Sequence, residues 1–299
     1  VALNNPAFNN PAFQDSRAAS SYPGGRQGAG LAASTQYAPP PAAEAAQLDG
    51  AFAAPPAGAR ETGRMTVEDT VHKTLALFGV LVVTAVVGWM WTMAGVTPEN
   101  PNPMIAPMLI GALCGFVLAM VNIFKKTPSV PLIVAYAAFE GLFVGGISAF
   151  FDFIWPGIVF QATLATLTVV GVTLALFASG KIRASARATK IFLIAMVGYL
   201  VFSLVNLGLM LFNVPVAGGA FGLRSSIEIF GIPLGVIIGV FVVLMAAYSL
   251  VLDFDQIQRG VRAGAPRVYA WVGAFGIMVT VVWLYVEILR ILAILRGSD

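Results

Sequence analysis

Charged side chains are scarce in this sequence, at 10% of its residues, where a soluble domain carries about 25%. The deficit excludes an ordinary water-soluble globular fold and points to lipid as the solvent. Cysteine occurs once. Cys114 lies inside an apolar run, so an intrachain disulfide is excluded, and without Cys or His neighbours at ligand spacing so is a zinc site. Histidine also occurs once, so any His-based triad or metal cluster would have to be built around His72, which reads instead as a histidine at the membrane edge. The net charge of +3 is small and no basic stripe alternates with aromatics, which excludes nucleic acid as a partner. The first apolar run begins only after about residue 70, so no signal peptide is expected ahead of it.

Residues 1–64 are rich in Ala, Pro, Gly, Ser, Asn and Gln, and Asn4-Asn5-Pro6-Ala7-Phe8 repeats at once as Asn9-Asn10-Pro11-Ala12-Phe13. Pro39-Pro40-Pro41 and Pro55-Pro56 break any helix. Too few apolar residues remain to offset the entropy of ordering, so a disordered tail is expected. The doubled motif reads as low-complexity expansion or as a docking segment for a membrane protein partner.

Beyond the tail, seven apolar runs are each long enough for a hydrocarbon core of about 30 Å. They cover residues 75–94, 104–124, 130–151, 158–179, 191–213, 231–252 and 269–291, and five of the seven hold no charge. Backbone groups in lipid must be satisfied within the segment, so helices are expected, and no ten-residue alternation suggests a membrane barrel. The fold class that follows is an all-α integral membrane protein, with residues 65–299 forming a seven-helix transmembrane domain.

The connecting segments set an orientation. Arg64 and Lys73 precede the first span, Lys125 and Lys126 follow the second, and Lys181, Arg183, Arg187 and Lys190 follow the fourth. Arg259, Arg262 and Arg267 follow the sixth. The alternate connections hold Glu99, Asp152 and Glu228, with Arg224 as their only basic residue. Positive charge is thereby kept on one side, which places the N-terminus in the cytoplasm and the C-terminus outside. Trp89, Trp91 and Trp155 fall near the outer ends of their spans, as interfacial aromatics do. Glycines at four-residue spacing (Gly111/Gly115, Gly141/Gly145, Gly231/Gly235/Gly239) line single helix faces and predict close packing.

Acidic residues inside these runs carry the candidate chemistry. Glu140 sits in mid-span within Phe139-Glu140-Gly141-Leu142, where a charge costs roughly 2.5–3.5 kcal/mol. Burial there favours the neutral acid unless water or a cation faces it. Asp253 and Asp255 close the sixth span, where acids oppose the helix dipole unless Arg259 and Arg262 answer them. Glu287 and Arg290 are three residues apart and suited to pair along one face. At about 1.5 Å per residue, Glu140 lies about 15 Å and Glu287 about 27 Å from the cytoplasmic end, with Asp253 at that edge. Carboxylates at three depths would form a staggered cation path if their faces converge. No mid-membrane aspartate pair, Ser–His pair or metal cluster suits an intramembrane protease, and residues 269–291 hold no Schiff-base lysine, so no enzyme or retinal chemistry is expected.

Phe139-Glu140-Gly141-Leu142, Leu252-Asp253-Phe254-Asp255-Gln256-Ile257 and Leu289-Arg290-Ile291-Leu292 together resemble the transmembrane Bax inhibitor motif family. The resemblance covers residues 65–296 and looks like a bacterial branch with an N-terminal extension, hence a protein of the bacterial cytoplasmic membrane. It implies a seven-helix fold with the last helix central, enclosed by the other six. It also implies a pH-sensitive calcium leak gated by two aspartates, on helices six and seven. Asp253 matches the first. In a gap-free register Thr280 stands where the family has the second, and a gapped register offers Glu287. The gap-free register is preferred, because a gap rotates every later side chain. Lys125 or Lys126 stands nearest to the family's basic group at the end of helix two. The leading expectation is therefore a pH-sensitive cation leak or exchange pathway through Asp253, Glu140, Glu287, Asp255 and Thr280. It needs no cofactor, and calcium is its permeant or bound ion. The alternative is a regulator that binds a membrane protease or other membrane partner without transport.

Overall fold

The computed structural model describes residues 63–125, 127–212, 214 and 221–297, all within the compact unit Ala57–Asp299. The expectations for residues 1–62 and for Lys126 lie outside the described residues.

Seven helices are long and apolar enough to cross a membrane: α1 Val67–Met93, α2 Ala106–Phe124, α3 Val130–Ile154, α4 Ile158–Ala178, α5 Ala186–Leu211, α7 Leu234–Arg262 and α8 Tyr269–Gly297, with a single turn, α6 Leu223–Ser226, between α5 and α7. Polar caps extend two of them beyond their apolar runs. Thr66 accepts a hydrogen bond from the Asp69 amide at 3.0 Å and starts α1 eight residues before the expected span. Ser185 does the same for the Ala188 amide at 3.2 Å at the start of α5. Pro107 and Pro131 sit in the first turns of α2 and α3, where a missing N–H costs nothing.

The sixth expected span is displaced. Its first residues form a two-stranded hairpin, β1 Glu228–Ile229 paired with β2 Ile232–Pro233. The turn is Phe230-Gly231, both with positive φ (56° and 78°), the geometry of a tight two-residue hairpin loop. Gly231 therefore serves a turn and not the helix face it was grouped with. At the other end α7 continues to Arg262, so Asp253 and Asp255 lie inside the helix. About 14 Å of helix follow Asp253.

Glycines decide how closely the first three helices approach. A side chain at Gly141 would strike Leu81 and Thr84 of α1, and one at Gly145 would strike Ala85. On the other side of α3, Gly111 of α2 lies against Phe139 and Phe143. Backbone-to-backbone approach of this kind is what small residues supply in lipid, where apolar surface alone gives no preference for a neighbour.

α8 is the core of the bundle. Half of its most apolar window is buried, against 6% for α5. It packs on α1, α3, α4 and α7. Ala274, Met278 and Val282 meet Leu77, Leu81, Tyr136 and Ala137, and Leu284, Ile288 and Leu289 meet Ile158, Ala162 and Ala246. α5 turns almost all its apolar surface outward and is held mainly by polar side chains reaching α6, α7 and α8.

Candidate functional site

Asp253 on α7 faces α8. The Thr280 hydroxyl donates to its Oδ2 at 2.7 Å, and Ser249, one turn earlier on α7, lies 3.4 Å from the Thr280 hydroxyl. Gly276, one turn before Thr280, leaves room for the carboxylate: a Cβ there would stand 3.2 Å from Asp253 Oδ1. Beside this group lies a cavity of about 230 Å³ lined by Asp253, Gln256, Met65, Tyr269 and Phe275. The residue that the gap-free register set against Asp253 is thus its hydrogen-bond partner. The arrangement offers one carboxylate and two hydroxyls, hard oxygen donors of the kind that suit calcium.

Glu140 lies between α3 and α2. Tyr136 lies one turn earlier on α3, and Glu140 Oε2 lies over Gly115, where an added Cβ would come within 3.2 Å. The Tyr136 ring meets Phe275 of α8 edge-on at 4.9 Å, one of the contacts that join α3 to the helix carrying Thr280. No ion pair compensates Glu140 or Asp253 among the described residues.

The other candidates are engaged elsewhere. Glu287, only 2% exposed, accepts at Oε2 from Arg290 and from the Tyr199 hydroxyl, the latter at 2.9 Å. Its Oε1 has no partner among the described residues. Asp255 pairs with Arg259 at 3.0 Å. Lys125 caps the end of α2 and is exposed, without an ion pair to either Asp253 or Glu140. The three carboxylates therefore occupy three separate surroundings. Among the described residues no group of three His, Cys, Asp or Glu side chains could hold a metal ion.

Two features escaped the sequence reading. Arg267, in the α7–α8 connection, donates to Asp69 through Nε at 3.2 Å and Nη2 at 2.9 Å, and Lys73 reaches Asp69 at 2.6 Å and the Arg267 carbonyl at 2.9 Å. The hydrogen bond to Asp69, and then its charge, hold the Arg267 guanidinium above its ordinary pKa. Asp69 and Arg267 are 198 residues apart in sequence, which no spacing rule bridges. Gly63 and Arg64 join the same corner, with the Arg267 amide donating to the Gly63 carbonyl at 2.9 Å. The second feature is an apolar groove of about 510 Å³ between α1 and α4. Its floor carries Ser148 and Tyr285, hydrogen-bonded at 2.6 Å.

Seven apolar helices, the last of them buried among the others and with acids held between them, define a polytopic membrane protein. The chain belongs to the Bax inhibitor 1 like family, whose sequence model matches residues 5–297. That match begins inside the segment that the residue-level resemblance, limited to 65–296, had left out. No curated protein and no solved structure matches the chain.

Proposed function

We propose that this protein is a pH-sensitive cation pathway, a leak or exchanger for which calcium is the ion, and that it acts in a bacterial cytoplasmic membrane. The observation that carries this reading is the Asp253 carboxylate facing the Thr280 hydroxyl across α7 and α8, beside a cavity and without a basic partner among the described residues. A buried acid without a counter-charge must be protonated, hydrated or bound to a cation. Each change between those states alters both the charge on the path and the hydrogen bond that joins two helices. Glu140 is the second such acid.

The reading is tested in vesicles loaded with a calcium-sensitive dye. We expect Asp253→Asn to lower flux and flatten its dependence on pH, and Asp253→Asn with Glu140→Gln to abolish it. Flux and pH profile unchanged in the double variant would end the proposal. The alternative, a regulator of a membrane protease or other membrane protein, draws on the doubled Asn-Asn-Pro-Ala-Phe of the tail. Removal of residues 1–64 separates the two: lost capture of a partner with intact flux would assign the tail a regulatory role beside transport, and flux absent in the full chain would leave regulation as the function.

A further inference from the structure

Arg224 breaks the charge pattern of the sequence, as the one basic residue in the connections that otherwise hold only acids. In the structure it is 5% exposed, a depth at which an arginine normally has a carboxylate partner. Arg224 has none among the described residues. Its Nη2 donates to the neutral Ser203 hydroxyl at 2.8 Å, and its Nε, fully buried, has no partner among the described residues. The guanidinium lies over the rings of Tyr199 at 5.3 Å and Phe202 at 5.5 Å. Close packing fixes it there, because its own backbone carbonyl and Cβ would stand 2.8 and 2.9 Å from a Cβ at Gly235 of α7.

A second guanidinium reaches the same tyrosine. Arg290 Nη2 donates to the Tyr199 hydroxyl at 2.7 Å while it pairs with Glu287. Its side chain remains 20% exposed. The local charge is therefore one carboxylate against two guanidinium groups, and Glu287 is committed to Arg290. The charged side chains of α5 are Arg187 and Lys190, both basic and both in its first two turns, while α7 before Asp253 and α8 before Glu287 hold none. Glu228 of β1 is exposed and makes no ion pair with Arg224. One positive charge and one buried N–H donor are left over.

We propose that Arg224, with Arg290 on the other side of Tyr199, forms a binding site for a phosphate-type oxyanion. The anion takes the place of the missing carboxylate beside the Arg224 guanidinium, which lies over the Tyr199 and Phe202 rings. Two sources share this chemistry, the headgroup phosphodiester of a membrane lipid and a phosphate in solution. This site is separate from the Asp253–Thr280 group and does not depend on the cation reading.

The test uses the full chain in a maltoside detergent, which carries no phosphate. Its thermal unfolding midpoint is followed while inorganic phosphate replaces chloride at constant ionic strength, and separately while short-chain phosphatidylglycerol is added. We expect a saturable rise in at least one titration; a response to the lipid alone identifies a headgroup, and a response to inorganic phosphate identifies a soluble anion. Arg224→Lys keeps the charge but loses the planar fork, and should raise the half-saturating concentration by about tenfold or more. Arg224→Gln should abolish the rise, and Arg296→Lys, at the exposed end of α8, should leave it unchanged. No saturable rise with either probe, or a half-saturation in Arg224→Lys equal to that of the unaltered chain, would overturn the assignment. The lysine variant decides the matter should the glutamine variant not fold.

Discussion

Asp253 and Asp255 stand two positions apart on α7, and two positions turn a helix by about 200°. One carboxylate consequently faces α8 and accepts from Thr280, while the other looks away and pairs with Arg259, whose side chain is 66% exposed. A partly solvated pair of that kind is worth little, about 0.3–0.5 kcal/mol. Asp255→Asn should therefore leave both stability and calcium flux close to those of the unaltered chain. Thr280→Val keeps the shape and removes the donor to Asp253, a hydrogen bond to a charged group worth roughly 1.5–3 kcal/mol. We expect the thermal midpoint to fall and the pH profile of flux to shift; a profile that does not move would show that Thr280 only packs.

At the scale of elements, the bundle has one tight contact and one loose one. α3 meets α1 through Gly141 and Gly145 with no space for a side chain. Gly145→Leu would have to separate the two backbones, and overpacking of a filled interface costs typically 1–3 kcal/mol or more. Loss of the folded fraction on size-exclusion in detergent is the expected outcome, with Gly171→Leu on α4, where nothing lies within 4 Å, as the tolerated control. α5 stands at the other extreme. Its links to the core are Tyr199 to Glu287 and Arg290, Thr189 to Tyr248, Ser203 to Arg224 and Asn206 to the Leu223 amide. Tyr199→Phe removes the hydroxyl shared by Glu287 and Arg290. Faster amide hydrogen exchange in α5 than in α3 or α8 should follow, because an element held by few contacts opens with little free energy.

For the whole molecule, the uneven distribution of basic residues predicts a topology. We expect a reporter active only outside the cell to work when fused after Gly297 and to fail when fused after Ile182, within the Lys181–Lys190 connection. The reverse result would invert the positive-inside assignment. The corner built from Asp69, Lys73 and Arg267 lies on the side assigned to the cytoplasm, and it joins the start of α1 to the α7–α8 connection. It ties the first helix to the last two at the end where the Asp253 cavity opens toward Met65 and Tyr269.

Composition and run length were enough to specify seven helices, because lipid admits no other way to satisfy a backbone that crosses it. The charge count of the connections gives an expected orientation, and local motifs with the family resemblance name Asp253, Thr280, Glu140 and Glu287 as candidates. Helix ends were less legible: the Thr66 and Ser185 caps lie outside the apolar runs, and the Phe230-Gly231 turn straddles the start of one. The remaining partners were decided only by the tertiary structure. It brought the Tyr199 hydroxyl to Glu287, joined Asp69 to Arg267, and left Arg224 buried without an acid among the described residues. The reason is physical. Insertion into lipid depends on sums along a segment, which a sequence states outright. The surroundings of a single buried charge depend on which faces of distant helices meet, and that is set by packing at glycines and at the central helix.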